Sequence, residues 1–335
     1  MGQHLSRVMW VAWISLLAAS GTSSAPDRDT VTVMTYNIFH DGEDSRRAVA
    51  AWSDRREAVV GTIRSRAPDV VGLQEAEVWQ VAWLVDQMPA YAAVARGPYE
   101  DPGLVDAETV AILYLRERLE LAESGHFWYS ESPESPGSYG SSAYGGMSRP
   151  RMATWVRLVD RETPGRPGLY VYNTHFIADA QATDPGVARF KSAEMLVRRI
   201  SDRAHPQAPF LVIGDLNTES EEWPLRYLLG SRCESDDACP TPEPTPEVRM
   251  IDSWAWWHPG DTQTGTRCNA ATGDDGMRVD YVLVWEPGPE ARICDSEDGS
   301  CEIPGILSAE IVESGSGCPS DHKPVVAEIE LPVPE

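Results

Sequence analysis

Short apolar runs that each end in a polar side chain recur along the whole chain, and they constrain its fold more than any other feature. Residues 31–36 open the series, 70–74 follow, and 110–115, 154–158, 169–174, 210–213, 280–285 and 324–331 continue it. Runs of this length, rich in Val, Ile and Tyr, read as strands. The last one alternates, with Val325, Ala327 and Ile329 on one face and Val326, Glu328 and Glu330 on the other. Two helical patterns lie between them. Residues 54–67 place Val59, Val60 and Ile63 on the apolar side with Arg55, Arg56 and Arg64 outside, and stop before Pro68; a second pattern covers about 185–204. Strands and helices therefore mix without a strict βαβ repeat. Residues 130–150 form a Gly/Ser/Pro-rich loop without periodicity, and the acidic, Pro-rich stretches 231–247 and 286–304 carry cysteines and read as stapled surface loops. No repeat or compositional break divides the chain, so residues 30–333 are expected to form one domain.

The first 25 residues hold Arg7 as their only fixed charge, an apolar run over 8–19, and small residues closing at Ser23-Ser24-Ala25. That is the pattern of a signal peptide, and its core is shorter than the roughly 20 residues a spanning helix needs. Cleavage after Ala25 is expected, with 26–29 as a short leader, no transmembrane segment, and a secreted or periplasmic product. All six cysteines lie beyond residue 232. With no C-x-x-C and no histidine at ligand spacing, disulfides are the expected state rather than zinc. Six cysteines admit many pairings; short spacings favour Cys233 with Cys239 and Cys294 with Cys301, leaving Cys268 to meet Cys318. Fifty-two acidic against 28 basic residues give a formal charge of −24. Solubility alone would account for such a surface, but it also repels polyanions.

Six segments place a polar residue just after or at the start of a strand, where a scaffold presents chemistry at a sheet rim. They are Tyr36-Asn37, Leu73-Gln74-Glu75, Asn173-Thr174-His175, Gly214-Asp215-Leu216-Asn217, Val279-Asp280-Tyr281 and Ser320-Asp321-His322. Singly each has an ordinary use: Asn37 can cap a turn, Glu75 can end a strand in solvent, and His175 can sit satisfied in a core. Together, in this order and spacing, they resemble the endonuclease/exonuclease/phosphatase superfamily from about residue 31 to 331. GDLN at 214 and SDHKPV at 320 are the most specific pieces. The resemblance implies an α/β (α+β) four-layer sandwich, two mixed β-sheets packed face to face with helices outside. It also implies metal-dependent hydrolysis of a phosphodiester or phosphomonoester.

That chemistry needs a Lewis acid, an activated in-line water and a group that stabilises the leaving oxygen. A hard cation, Mg²⁺ or Mn²⁺, prefers carboxylate oxygens, and the resemblance assigns it Glu75, Asn37 and Asp321. It makes His322 with Asp280 the general-base pair, Asp280 fixing the tautomer, with Asp215 the alternative base. His175 becomes a general acid or a donor to a phosphate oxygen, with Glu108 as its acidic partner. Asp215 and Asn217 would orient water or a second metal and donate to the transition state. Arg151 matches a phosphate-contacting position, and Arg149 is close enough to fill it instead.

The chain has no basic, aromatic-interleaved patch of the kind that grips a nucleic-acid backbone, and no signature naming inositol phosphates or sphingomyelin. A monomer acting on a small or surface-presented phosphoester is the expectation, with the basic residues Arg149, Arg151 and Lys323 forming a local rim. A secreted nuclease acting on DNA or RNA, and a catalytically silent binding module, are the alternatives. No histidine or metal carboxylate of the pattern is lost, and no G-x-S-x-G elbow is present. Trp254, Trp256 and Trp257 read as core packing.

Overall fold

The computed structural model describes residues 30–42, 49–101, 104, 107–163, 165–231, 248–268, 276–286, 293–294, 301–302, 305–313 and 318–332. The expected leader and the pair Cys233 with Cys239 lie outside the described residues. The first sheet consists of β1 (Thr30–Asn37), β2 (Val70–Glu77), β3 (Tyr91–Val94), β4 (Glu108–Leu115), β13 (Ile306–Ile311) and β14 (Val325–Glu330), in the order β13-β14-β1-β2-β4-β3. The second contains β5 (Leu119–Trp128), β6 (Met152–Asp160), β7 (Leu169–His175), β8 (Phe210–Asp215), β9 (Met250–Asp252) and β10 (Asp280–Trp285), in the order β5-β6-β7-β8-β10-β9. Each is mixed: β1 runs parallel to β2 and β7 parallel to β8, amid antiparallel neighbours. A small hairpin of β11 (Ile293–Cys294) and β12 (Cys301–Glu302) sets position 294 opposite 301.

Side-chain alternation explains the layering. Val31 and Val33 of β1 point inward with Val70 and Ile112, against Val156, Val171, Leu211, Ile213 and Val282 of the other sheet. Met34 and Tyr36 point outward, where Val59, Val60 and Ile63 of α1 (Trp52–Arg66) and Val81 and Leu84 of α2 (Val78–Gln87) cover them. On the far side α3 (Pro185–Ser201) and α4 (Trp223–Leu228) cover Tyr170, Tyr172, Val212 and Tyr281. Helix, sheet, sheet, helix is the expected four-layer sandwich, and central strands covered on both faces are why their sequences run apolar without a break. Each such side chain contributes about 1.5–3 kcal/mol on burial.

A polar tie fixes one sheet on the other. Gln74 Nε2 donates to Asn173 Oδ1 at 2.6 Å and to Thr35 Oγ1 at 3.0 Å, while Asn173 Nδ2 donates to the carbonyls of Leu73 and Ala111 at 2.9 and 2.7 Å. A buried amide left unpaired costs about 1–3 kcal/mol, so sliding the sheets is penalised at this point. Gly72 permits the approach, since a Cβ there would fall 2.6 Å from Ile213 Cδ1.

Two expectations are corrected. Arg55 does not lie outside α1: it is buried, and its guanidinium donates to the carbonyls of Ile38, Phe39, His40 and Pro319. Of the three tryptophans only Trp254 packs in the core; Trp256 and Trp257 are 39% and 47% exposed on α5 (Ser253–Trp257), because so short a helix turns adjacent positions to different sides.

Candidate active site

All six polar segments meet at one rim. The parallel pairs bring the ends of β1 and β2, and of β7 and β8, to that rim, and the antiparallel β10 and β14 start there. Local backbone then aims each side chain. In β2 the register against β4 slips between Gln74 and Ala76, leaving Glu75 as a bulge residue at φ +57°. Such a conformation is uncommon for a residue with a side chain and here swings the carboxylate out of the pleat toward Asn37. Gly214 sits at φ +146°, and a Cβ there would lie 2.0 Å from the Thr174 carbonyl. Only glycine lets β8 pass so close to β7 and deliver Asp215 beside His175.

Asp215 is the hub. Its Oδ1 accepts from the Asn217 amide at 2.8 Å. Its Oδ2 accepts from Asn37 Nδ2 at 3.1 Å and lies 3.5 Å from His175 Nε2 and 3.6 Å from His322 Nε2. Burial pushes its carboxyl up, but His322, His175 and Arg267 outweigh burial and hold it down at about 2.

The two histidines differ in charge. Burial disfavours the imidazolium of His322, yet Asp280, Asp215 and Asp321 together lift it to about 9; Asp280 Oδ2 stands 2.7 Å from Nδ1. His175 is driven well below its usual value by burial and by Arg151. Arg151 Nη1 is 2.8 Å from His175 Nδ1, and a guanidinium only donates, so Nδ1 accepts and the proton sits on Nε2. His175 is thus a neutral donor facing Asp215, not an imidazolium acid. Glu108, expected beside His175, instead lies 3.6 Å from Arg149 Nη1 and 3.9 Å from Arg151 Nη1, since Arg151 occupies the histidine's Nδ1 side. Arg151 is further held by Gln181 Oε1 at 2.7 Å.

Asn37 bridges carboxylates: Nδ2 donates to Glu75 Oε1 at 3.1 Å as well as to Asp215, while Oδ1 accepts from the Phe39 amide at 3.1 Å. Its oxygen is therefore turned away from Glu75. Ser320 Oγ donates to the Asn37 carbonyl at 2.7 Å, tying the Ser320-Asp321-His322 segment to the end of β1.

Among the described residues, Glu75, His175 and Asp215 bring one ligand atom each within 4.8 Å of one another, as do Asp215, Asp280 and His322. In the first group the carboxylates of Glu75 and Asp215 offer the hard oxygens a divalent cation prefers, while His175, with Nδ1 accepting from Arg151 and Nε2 protonated, has no lone pair to give. In the second, His322 is already engaged with Asp280. Asp321 joins neither group and acts on Glu75 and His322 through its charge. Beside the hub opens a cavity of about 180 Å³, lined by Tyr99, Glu108, Arg149, Arg151, Met152 and His175.

Sequence reasoning missed Arg267, whose Nη2 donates to Asn217 Oδ1 at 3.2 Å and whose Nη1 is 3.9 Å from Asp321 Oδ2. Its only sequence signal is its place next to Cys268, and the Cys268–Cys318 disulfide is formed as expected.

A model of the Endonuclease/Exonuclease/phosphatase family matches residues 34–322. An endonuclease/exonuclease/phosphatase from Bacteroides vulgatus superposes with a TM-score of 0.68 at 23% identity, over 90% of this chain and 99% of that one. The mannosyl-6-phosphatase of Bacteroides thetaiotaomicron gives 0.65 at 20% identity, over 89% and 99%. The human Nocturnin catalytic domain gives 0.62 at 16%, over 91% and 96%. An uncharacterised protein of Acanthamoeba polyphaga mimivirus is 21% identical over 195 residues, which are 56% of this chain and 68% of that protein.

Proposed function

The chain belongs to the endonuclease/exonuclease/phosphatase family of phosphoester hydrolases, and from that premise we propose that it is a secreted, Mg²⁺- or Mn²⁺-dependent enzyme that cleaves a small or surface-presented phosphoester by in-line attack of water. The observation that carries this reading is the convergence of Asn37, His175 and His322 on Asp215 Oδ2, with Glu75 bonded to the same Asn37.

Glu75 would hold the cation, with the charge of Asp321 close by. When bound there, a hard divalent ion offsets charge on the non-bridging oxygens of the phosphoryl group. Asp215, ionised down to about 2, is the group free to orient water and take its proton. His322, charged up to about 9 and fixed by Asp280, donates to a phosphoryl oxygen. This reading gives the base role to Asp215 rather than to the His322–Asp280 pair. His175 donates its Nε2 proton as a neutral hydrogen bond, and Arg151 keeps it in that tautomer.

The small substrate is supported by the acidic surface and by the modest cavity beside Arg149 and Arg151. One relative by fold is a mannosyl-6-phosphatase, an enzyme acting on a sugar phosphate. Export is supported by the leader pattern and the disulfide, and no helix among the described residues is long and apolar enough to cross a membrane. The test is hydrolysis of a chromogenic phosphodiester and a chromogenic phosphomonoester, with EDTA and with Mg²⁺ or Mn²⁺ restored. Loss and recovery of turnover are expected; full turnover in excess chelator would overturn the reading.

A further inference from the structure

The segment before β10 brings to the site a cation that none of the six motifs contains. Its backbone is built into the rim from two sides. Arg267 forms a bridge with His322, the Cys268 amide donates to the Asp321 carbonyl at 2.7 Å, and the Lys323 amide donates to the Thr266 carbonyl at 2.6 Å. Thr266 Oγ1 accepts from the amides of Val279 and Asp280 at 3.0 and 3.2 Å, and the Cys268–Cys318 disulfide closes the arrangement. Arg267 is thus held by the same short stretches that carry His322 and Asp280.

Its side chain is less committed than its backbone. One donor reaches Asn217 Oδ1 at 3.2 Å, a second lies 3.9 Å from Asp321, and Nε is buried without a partner among the described residues. The guanidinium carries five N–H groups in a fork suited to tetrahedral oxyanions. Asn217 is held at both ends of its amide. Its Nδ2 donates to the Phe176 carbonyl at 3.1 Å and its Oδ1 accepts from Arg267. Flipping the amide would set donor against donor and carbonyl against carbonyl, so this orientation is fixed. Asn217 thus keeps one Nδ2 hydrogen, while its Oδ1 is committed to aiming Arg267.

We infer that Arg267 contacts the substrate's phosphoryl oxygens, aimed there by Asn217. This rests on the phosphoesterase reading above. Arg151 reaches Asp215 by way of His175 and Arg267 by way of Asn217, so two guanidinium groups flank the hub.

The experiment compares wild type with Arg267→Met, Arg267→Lys and Asn217→Ala in KM, kcat, the inhibition constant of inorganic phosphate, and Tm. Arg267→Met should raise KM and the phosphate inhibition constant about tenfold and lower kcat by roughly 10²-fold, the scale of one lost oxyanion donor. Added guanidinium should restore part of the turnover of Arg267→Met, and Arg267→Lys should fall between it and wild type. Asn217→Ala should show a smaller rise in KM with no guanidinium rescue. A phosphate inhibition constant in Arg267→Met equal to wild type, or loss without rescue, overturns the inference. If Arg267→Met does not fold, the same comparison is made with Arg267→Lys. If wild type hydrolyses no phosphoester, the functional reading fails by itself, and calorimetric binding of inorganic phosphate in Mg²⁺ then decides for Arg267: binding weakened by the substitution supports it, and equal or absent binding overturns it.

Discussion

Two imidazoles face the same carboxylate oxygen of Asp215 in opposite charge states, and the difference comes from what holds each Nδ1. Asp280 draws a proton onto His322, and Arg151 expels one from His175. His322 is raised from 6.5 to about 9, so its contribution to stability is complete below pH 6.5 and disappears as pH rises through about 9. Asp215 is depressed from 3.8 to about 2, so its contribution is complete above pH 3.8 and fades as pH falls through about 2. Thermal melts of the EDTA-treated protein between pH 6 and 10 should therefore show a decline that His322→Gln flattens; identical slopes would remove the assignment. Replacing His322 or His175 by Ala should lower kcat by roughly 10²- to 10⁴-fold with the fold intact, and Asp280→Asn should cost less. Near-normal turnover in both histidine variants would show the pair to be wrong. These residues were legible because each stands at or just beside one end of an apolar strand. Arg267 was not, because its place depends on a pairing with His322 that no local pattern announces. Nor was the Arg151–His175 contact, which follows from the register of β6 on β7, with Ala153 opposite Thr174.

The site is assembled by elements whose irregularities matter as much as their regular parts. Gly214→Ala should destabilise by about 3 kcal/mol, near the upper end for a single change, since the new Cβ would strike the Thr174 carbonyl. A urea titration would measure this, and a loss under 1 kcal/mol would mean that β8 relaxes freely. The disulfide is expected to act on function before stability: it joins the Arg267 segment to the turn before Asp321. Mild reductant should lower kcat/KM at temperatures where far-UV circular dichroism is unchanged, and activity that persists until unfolding would leave the bond a purely structural role. Central strands and the long helices α1 and α3 stood out in the sequence through sustained apolar runs and a 3.6-residue period. The edge strands did not, as β5 interleaves Glu120, Glu123 and Ser124 with its apolar residues. Helix α2 escaped notice because it begins directly at the end of β2 with no breaker, its start fixed by the Glu77–Gln80 capping box.

Over the whole molecule the dominant property is charge. Duplex DNA carries about one negative charge per 1.7 Å, and proteins that hold it match those charges with Lys and Arg, whereas this chain has 28 such residues against 52 acids. A short phosphodiester should therefore be cleaved with higher kcat/KM than plasmid DNA at physiological salt. Efficient plasmid nicking that weakens steeply as salt rises would identify a nuclease instead. The strand order has a consequence for biogenesis. β1 lies between β2 and β14, with Thr30 opposite Glu330, so β1 gains its second partner from a strand made after all the others of that sheet. Until that partner arrives β1 is an open edge, and pairings of such long sequence separation form slowly. A chain whose β14 is still held inside a ribosome or a translocation channel cannot close its first sheet, so maturation of the rim that carries Asn37 and Glu75 must wait until β14 has emerged.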